Sequence, residues 1–211
     1  TYRAWWLMPV PSVCPACSKG CNVVVDVTKQ CVRRLRPREN TAVNDWWMCD
    51  YGRHDIEYIN TKERILTCRV DGKTDPDVAS VAAKTGARLK EYAKADPQSV
   101  AGLAGAWLTL EELHTLKHLF GEALGGGPVG GLAQPPGREE VFPKFAIAAD
   151  KNPNQAGLRL VFGPRIAEDT RRLIEDIRAR RIKAVYLVSG MPHYEPPPDL
   201  LEALKQLECL V

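Results

Sequence analysis

The chain has 211 residues, of which 45% are hydrophobic and 26% charged, with a formal net charge of +3. That is room for one ordinary domain and a small appendage, in the balance of a soluble globular protein. The positive charge is too weak to argue for nucleic acid, and no nucleic-acid partner is expected; the lack of an apolar run of about 18 residues excludes a membrane-spanning helix. The first residue is Thr1, so a processed chain or a fragment is expected. The aromatic and polar start, Thr1 to Trp6, lacks the order of a secretory signal, which points to the cytoplasm.

Residues 1–68 differ from the rest, holding six of the seven cysteines and four of the five tryptophans. Asn22 to Thr28 is valine-rich and reads as a strand, Lys29-Gln30 as a turn, and Cys31 to Arg36 as the returning strand of a hairpin ended by Pro37. Gly52 to Asn60 is expected to be a short helix. Residues 69–76 are polar and turn-rich, a boundary between domains at 1–68 and 77–211. Beyond it, Asp77 caps a helix to Ala95, with Val78, Val81, Ala82, Leu89 and Tyr92 at helical spacing, and Asp96-Pro97 stops it. Ser99 to Ala104 is an apolar strand. Thr109 and Glu112 form a capping-box pattern before a helix that should turn Leu110, Leu113, Leu116, Leu119 and Phe120 inward. Gly125 to Gly127 end that helix, and Pro128 to Leu132 is a weak strand. Ala133 to Pro164 is rich in Pro and Gly and reads as irregular. A helix over Ala167 to Arg180, a strand over Ala184 to Val188 and a helix over Pro198 to Leu207 follow. Cys209 to Val211 resembles the start of a further strand, which suggests truncation. Alternating strands and helices make residues 77–211 an α/β layer with a parallel sheet, behind a small β-rich domain.

The cysteines carry the chemistry. Two residues separate Cys14 from Cys17, three separate Cys17 from Cys21, and twenty-seven separate Cys21 from Cys49. Crowded cysteines in an intracellular chain favour metal over disulfides, and the total is odd. Three thiolates on one tight loop can reach three corners of a cubane, with the fourth supplied from afar after the hairpin returns the chain. The rival is structural zinc, which usually takes two closely spaced pairs; here the split is three and one, and His54 lies five residues from Cys49, a poor second pair. Cys31, Cys68 and Cys209 read as small buried side chains. Trp46, Trp47, Met48, Val13 and Pro15 would either shield a cluster from water or simply be core. Lys19, Arg33, Arg34, Arg36, Arg38 and Arg53 make the region basic, either favouring a reduced anionic cluster or forming a solvated face.

The run P-S-V-C-P-A-C-S-K-G-C-N from Pro11, R-P-R-E-N from Arg36 and V-N-D-W-W-M-C-D-Y-G-R from Val43 resemble the iron–sulfur domain of the molybdopterin oxidoreductase superfamily. The branch most similar is the large iron–sulfur subunit of bacterial NADH:quinone oxidoreductase (complex I). The runs A-D-K-N-P-N-Q-A-G from Ala149 and I-K-A-V-Y-L-V from Ile182 resemble the molybdopterin-type domain of that large subunit. The resemblance implies that Cys14, Cys17, Cys21 and Cys49 ligate one [4Fe–4S] cluster, which in complex I lies off the main electron path. It implies a partial molybdopterin-type α/β domain without molybdopterin. In molybdenum enzymes of the superfamily a basic residue two after the last cysteine bridges cluster and cofactor, and here that position is Tyr51. The expected partners are other iron–sulfur and flavin subunits, with membrane association only indirect, through a peripheral arm on the cytoplasmic side.

Elsewhere the signals are weaker. The glycines at 125–127, 130 and 131 lack phosphate-loop order and read as a helix stop and turn. His114 and His118, four apart on one helix face, could bind metal, but no H-E-x-x-H pattern accompanies them and they read as exposed or packed histidines. His193 carries no motif. Ser189-Gly190 follows a strand end, where open parallel sheets place ligand crevices, a vestigial nucleotide-type site by analogy of fold alone. No catalytic site is expected. Three functions remain open: an electron-transfer subunit of a complex I-like oxidoreductase, the iron–sulfur subunit of a soluble NAD-linked formate dehydrogenase or hydrogenase (electron-bifurcating in one form), and a non-redox scaffold stapled by its metal.

Overall fold

The valine-rich run from Asn22 is a strand, but it lies in the middle of a three-stranded antiparallel sheet rather than at one side of a hairpin. In the computed structural model, which describes residues 2–211, the sheet order is β1 (Met8–Val13), β2 (Asn22–Thr28), β3 (Cys31–Pro37). β1 lies outside the predicted elements because Pro9 and Pro11 erase its strand signature. On an edge strand, prolines cost no ladder bond if their nitrogens point away from the neighbour. Lys29 and Gln30 both take positive φ, 51° and 59°, a primed turn whose twist matches the flanking strands.

The pleat then sorts side chains by face. Val23 and Leu35 are buried with Cys14, Ala16, Cys21 and Met48 in one apolar cluster. Asp26, of opposite parity to Val23 and paired in register with Arg34, is on the other face. The single helix expected over Gly52 to Asn60 is two short ones, α1 (Asp50–His54) and α2 (Glu57–Asn60), with Ile56 between them packed against the same cluster.

The chain divides into two compact units, residues 1–63 with 134–153, and residues 64–133 with 154–211. This differs from a division into contiguous blocks, 1–68 and 77–211. The Pro- and Gly-rich segment after Ala133 contributes to the first unit, where it forms a small antiparallel pair, Glu140–Val141 with Ala146–Ile147.

The second unit is an α/β layer. After a hairpin, Cys68–Val70 with Lys73–Asp75, comes α3 (Val78–Ala95), capped by Asp77 Oδ1 accepting from Ser80 N at 3.1 Å. Leu89 and Ala93 are its buried residues, whereas Val78 is exposed. The strands β4 (Val100–Gly105), β5 (Val129–Leu132), β6 (Ala184–Val188) and β7 (Cys209–Leu210) form a parallel sheet in the order β7-β6-β4-β5. Every residue of β4 is buried, as in sheets covered on both faces. Val100 and Ala104 pack with Leu89, Leu113, Leu116 and Phe120, while Ala101 and Leu103 pack with Leu173, Ile177 and Leu200.

The helices α4 (Leu110–His118), α5 (Gln155–Phe162), α6 (Ile166–Arg178) and α7 (Pro198–Leu204) supply those faces. The capping box of Thr109 and Glu112 is present, but Leu110 is exposed, being off the stripe of Leu113, Leu116 and Phe120. α4 runs on into a wider π turn, Leu119–Ala123, and Gly125 and Gly126 end it with positive φ. α5 falls where an irregular segment is expected; its eight residues, Gln155–Phe162, are too few to show a helical period. Asn154 caps it, Oδ1 accepting from Gly157 N at 3.2 Å. α/β architecture with a small antiparallel sheet ahead of a four-stranded parallel one is as the sequence leads one to expect.

Candidate metal centre

Val13 ends β1 and Asn22 begins β2, so the loop between them carries Cys14, Cys17 and Cys21 out of one strand and back into the next. Cys14 N–H donates to Cys21 O at 2.8 Å and closes the loop at its neck. Gly20 takes φ 67°, a left-handed turn suited to glycine just before the third cysteine. Cys14, Cys17 and Cys21 are buried, and Cys49 is half-buried.

The fourth cysteine arrives on α1. Its Sγ, at the N-cap, accepts from Gly52 N at 3.4 Å. A Cβ on Gly52 would lie 2.7 Å from Cys14 Sγ and 3.4 Å from Ala16 Cβ. Only a bare backbone lets α1 settle this close to the first cysteine. Asn44 holds the approach: its Oδ1 accepts from Asn22 N at 2.8 Å, and its Nδ2 donates to Arg38 O at 3.2 Å and Trp47 O at 3.0 Å. Asn44 is buried and ties the start of β2 to the segment that delivers Met48 and Cys49.

The four sulfurs act on one another electrostatically. Burial pushes the Cys14 thiol up to about 11; a backbone hydrogen bond from Ala16 opposes this, and Cys21, Cys17 and Cys49 add to the rise. Burial likewise raises Cys21, opposed by the Lys19 ammonium and reinforced by Cys17 and Cys49. Four thiolates gathered in an apolar pocket need positive charge, and a metal cluster supplies it and deprotonates its ligands. Among the described residues, no group of three or more His, Cys, Asp or Glu side chains is arranged to hold a single ion. The thiols of a cube bind separate irons, so they stand at its corners rather than around one atom. Four cysteine sulfurs are the donor set that an iron–sulfur cube takes, three of them buried on one loop and the fourth at the start of α1.

Residues far along the chain brace the cysteine loop. Ser18 N–H donates to Asp150 O at 3.0 Å, and Lys19 Nζ donates to Ala146 O at 3.2 Å. Asn152 is fully buried: Oδ1 accepts from Gln134 N at 2.7 Å, and Nδ2 donates to Gln134 O at 2.9 Å and Asp150 Oδ1 at 2.7 Å. Two residues later, Asn154 Nδ2 donates to Leu108 O at 2.7 Å within the second unit. The run from Ala149, which resembles part of a molybdopterin-type domain, thus organises the cysteine loop as well.

Other expectations fare unevenly. Met48 is in the sulfur cluster's apolar wall with Ala16, Val23 and Leu35, but Trp46 is 65% exposed, Trp47 and Val13 are also exposed, and Trp47 stacks with Phe145 at 6.2 Å. These two tryptophans are neither shield nor core. Cys209 is buried; Cys31 and Cys68 are only half-buried. Arg34 and Arg36 spend their charge on Asp26, which lies on the sheet face opposite the sulfurs, at 2.5 and 2.7 Å. Arg33 sits 4.4 Å over the Tyr2 ring, and Arg38 Nη2 donates to Asn22 Oδ1 at 2.5 Å. Tyr51 is exposed beside the fourth cysteine, and Ser189-Gly190 follow β6 and are exposed. No sequence pattern singles out Asn44, Asn152 or Gly52 as supports, although each falls inside one of the runs that carry the family resemblance.

Comparisons with known proteins bear on the same region. Residues 7–61 match the model of the Molybdopterin oxidoreductase Fe4S4 domain. The G subunit of NADH-quinone oxidoreductase from Pseudomonas putida is 28% identical over 119 residues, 56% of this chain and 12% of that relative. The counterpart of the same name from Buchnera aphidicola is 28% identical over 123 residues, 56% of this chain and 13% of its own length. That of Escherichia coli (strain K12) is 39% identical over 62 residues, 29% of this chain and 7% of its own length. The chain thus corresponds to a small part of each of these relatives. In its cysteine-bearing stretch it is similar to the Molybdopterin oxidoreductase Fe4S4 domain family, and over somewhat more than half its length to part of the G subunit of NADH-quinone oxidoreductase.

Proposed function

We propose that this chain is an iron–sulfur electron-transfer piece of a complex I-like NADH:quinone oxidoreductase, with one [4Fe–4S] cluster on Cys14, Cys17, Cys21 and Cys49. The observation that carries the reading is the convergence of three buried thiols with the N-cap thiol of α1, in a pocket that Gly52 leaves open at Cys14. The likeness of residues 7–61 to an Fe4S4 domain supports an iron–sulfur role on independent grounds.

When bound, the cluster supplies a carrier for single electrons. The chain's own residues set the conditions under which it works. Cys14 and Cys21 hold sulfur inside an apolar wall of Ala16, Val23, Leu35 and Met48, which limits water, and Cys17 is buried as well. The Gly52 N–H aimed at Cys49 Sγ and the Lys19 ammonium acting on Cys21 both stabilise negative charge on sulfur, which raises a reduction potential. Cys49 is the least buried of the four and marks the side by which electrons enter or leave.

In this reading residues 1–68 form the cluster module, which 134–153 complete in the fold, and the rest of 77–211 is a partial molybdopterin-type layer that holds no molybdopterin. Tyr51 stands where molybdenum enzymes of the superfamily place a basic bridge. NADH oxidation belongs to a partner subunit bearing flavin, and further iron–sulfur subunits are the electron partners. No helix of the described residues is long and apolar enough to cross a membrane, which suits a place in a peripheral arm on the cytoplasmic side.

The test is chemical analysis of anaerobically purified chain. About four irons and four sulfides per chain, with a visible band bleached by dithionite, are expected of one cubane. Replacing any one of the four cysteines by alanine should abolish the four-iron electron paramagnetic resonance signal. Bound zinc without sulfide would overturn the reading. A native assembly containing a hydrogenase or formate dehydrogenase subunit would move the chain to a soluble relative of complex I.

A further inference from the structure

On the second unit, away from any cysteine in sequence, two histidines meet. His114 and His118 lie one turn apart on the exposed side of α4, whose other side is anchored by buried Leu113 and Leu116. Their Nε2 atoms are 3.0 Å apart, and the rings meet edge to face at 4.6 Å. Behind them His118 Nδ1 is 2.7 Å from Glu122 Oε1.

The hydrogen bonds assign the protons. A carboxylate only accepts, so His118 Nδ1 carries a proton and donates to Glu122. In neutral His118 the Nε2 is then a bare lone pair, and His114 Nε2–H is the donor to it. Each imidazole needs only its Nε2 lone pair to become a ligand: His118 already has it, and His114 gains it when its proton moves to Nδ1 through solvent. A ligand histidine with its second nitrogen held by a carboxylate is the arrangement that fixes the tautomer and strengthens the donor. Glu122 reaches this place from the π turn Leu119–Ala123, a widened turn of a kind found disproportionately at functional sites.

We propose that His114 and His118, oriented by Glu122, form a surface chelate for a divalent transition-metal ion of the imidazole-preferring class, with water completing the coordination. Imidazole nitrogens suit Cu²⁺, Ni²⁺ and Zn²⁺, and the general affinity order makes Cu²⁺ the tightest-bound of these and the ion to test. His118 is half exposed, leaving room for the ion and its waters.

The experiment uses the untagged full chain with its cluster in place, run on immobilised Cu²⁺ and eluted with imidazole. Immobilised ions reach exposed imidazoles, and the half-buried Cys31 and Cys68 are common to all the variants, so differences between variants report the histidines. Wild type should elute well after His114→Asn and His118→Asn, with about a tenfold or greater loss of affinity in each, as expected for a broken chelate. His54→Asn and His193→Asn should elute with wild type. Glu122→Gln should fall between wild type and the two histidine variants, because both imidazoles remain but the orienting carboxylate is gone. In solution, Cu²⁺ added to wild type should show electron paramagnetic resonance coupling to two nitrogens, reduced to one or none in either single variant. Co-elution of wild type with the His114 and His118 variants, dependence on His54 or His193 instead, or a copper spectrum dominated by thiolate charge transfer would each overturn the proposal.

Discussion

Replacing Gly52 by alanine sets two opposed effects against each other, and the structure decides the sign. Gly52 is in the middle of α1 and its φ is not in the left-handed region, so on helix propensity alone alanine would stabilise by about 0.5–1 kcal/mol. The added Cβ, however, would sit 2.7 Å from Cys14 Sγ, and that sulfur is buried with Ala16, Val23 and Met48 behind it. Overpacking of this kind costs about 1–3 kcal/mol. The net is a loss of up to about 2.5 kcal/mol, and α1 must back away from the sulfur by several tenths of an ångström, carrying Cys49 with it. Gly86, inside α3, is the control: a Cβ there meets nothing within 4 Å, so Gly86→Ala should raise stability by about 0.5–1 kcal/mol. Denaturant unfolding of both variants, with iron and sulfide content measured alongside, makes the comparison. Gly52→Ala should lower the unfolding midpoint and the iron content while Gly86→Ala raises the midpoint and leaves iron alone. If the two variants behave alike, with full iron in both, the close approach of α1 to Cys14 is wrong.

Asp26 is 1% exposed and its carboxyl is held below the usual range, first by the hydrogen bond from Arg36 and then by Arg34, against the opposing effect of burial. A depressed folded value means the stabilisation is complete above the ordinary aspartate range and is lost as pH falls through the folded value. Asp26→Asn should cost about 1–3 kcal/mol at neutral pH and flatten the acid limb of stability against pH, followed by urea unfolding at several pH values; an unchanged acid limb would refute the assignment. Asn44→Ala removes four side-chain hydrogen bonds and should cost about 1–3 kcal/mol, with faster iron loss to a chelator, because the segment before Cys49 loosens. Asn152→Ala should also speed iron loss, through the loop that braces Ser18, while leaving the exchange protection of β4 amides intact; equal loosening of β4 would contradict that division.

How far the fold and the site can be read from the chain alone depends on the range of the forces concerned. Local signals read well: the valines of β2, the Asp77 cap, the Thr109–Glu112 capping box and the limits of β6 all follow from neighbours in the chain. β1 is hidden because Pro9 and Pro11 argue against a strand until the sheet shows it to be an edge. α5 is hidden because its cap, Asn154, is part of a loop-like run with Pro153. The four cysteines stand out by spacing, and the burial of Cys14 and Cys21 together with Met48 adds what spacing lacks. The supports of the pocket cannot be read in the same way. Asn44 and Asn152 act on backbone groups brought near by folding, and Gly52 matters through a distance to Cys14, thirty-eight positions earlier, that no local pattern encodes.

The discontinuity of the first unit has a bearing on how the polypeptide is made. Its two pieces, 1–63 and 134–153, are separated by the seventy residues 64–133, which leave the ribosome in between. Closing a flexible loop of that length costs on the order of 4 kcal/mol, a cost that falls if the intervening stretch has already folded and brought its ends together. Only β4 and β5 of the parallel sheet precede the second piece in the chain, so during synthesis the nascent cysteine loop stays open to iron–sulfur delivery until Asp150 emerges to clasp it.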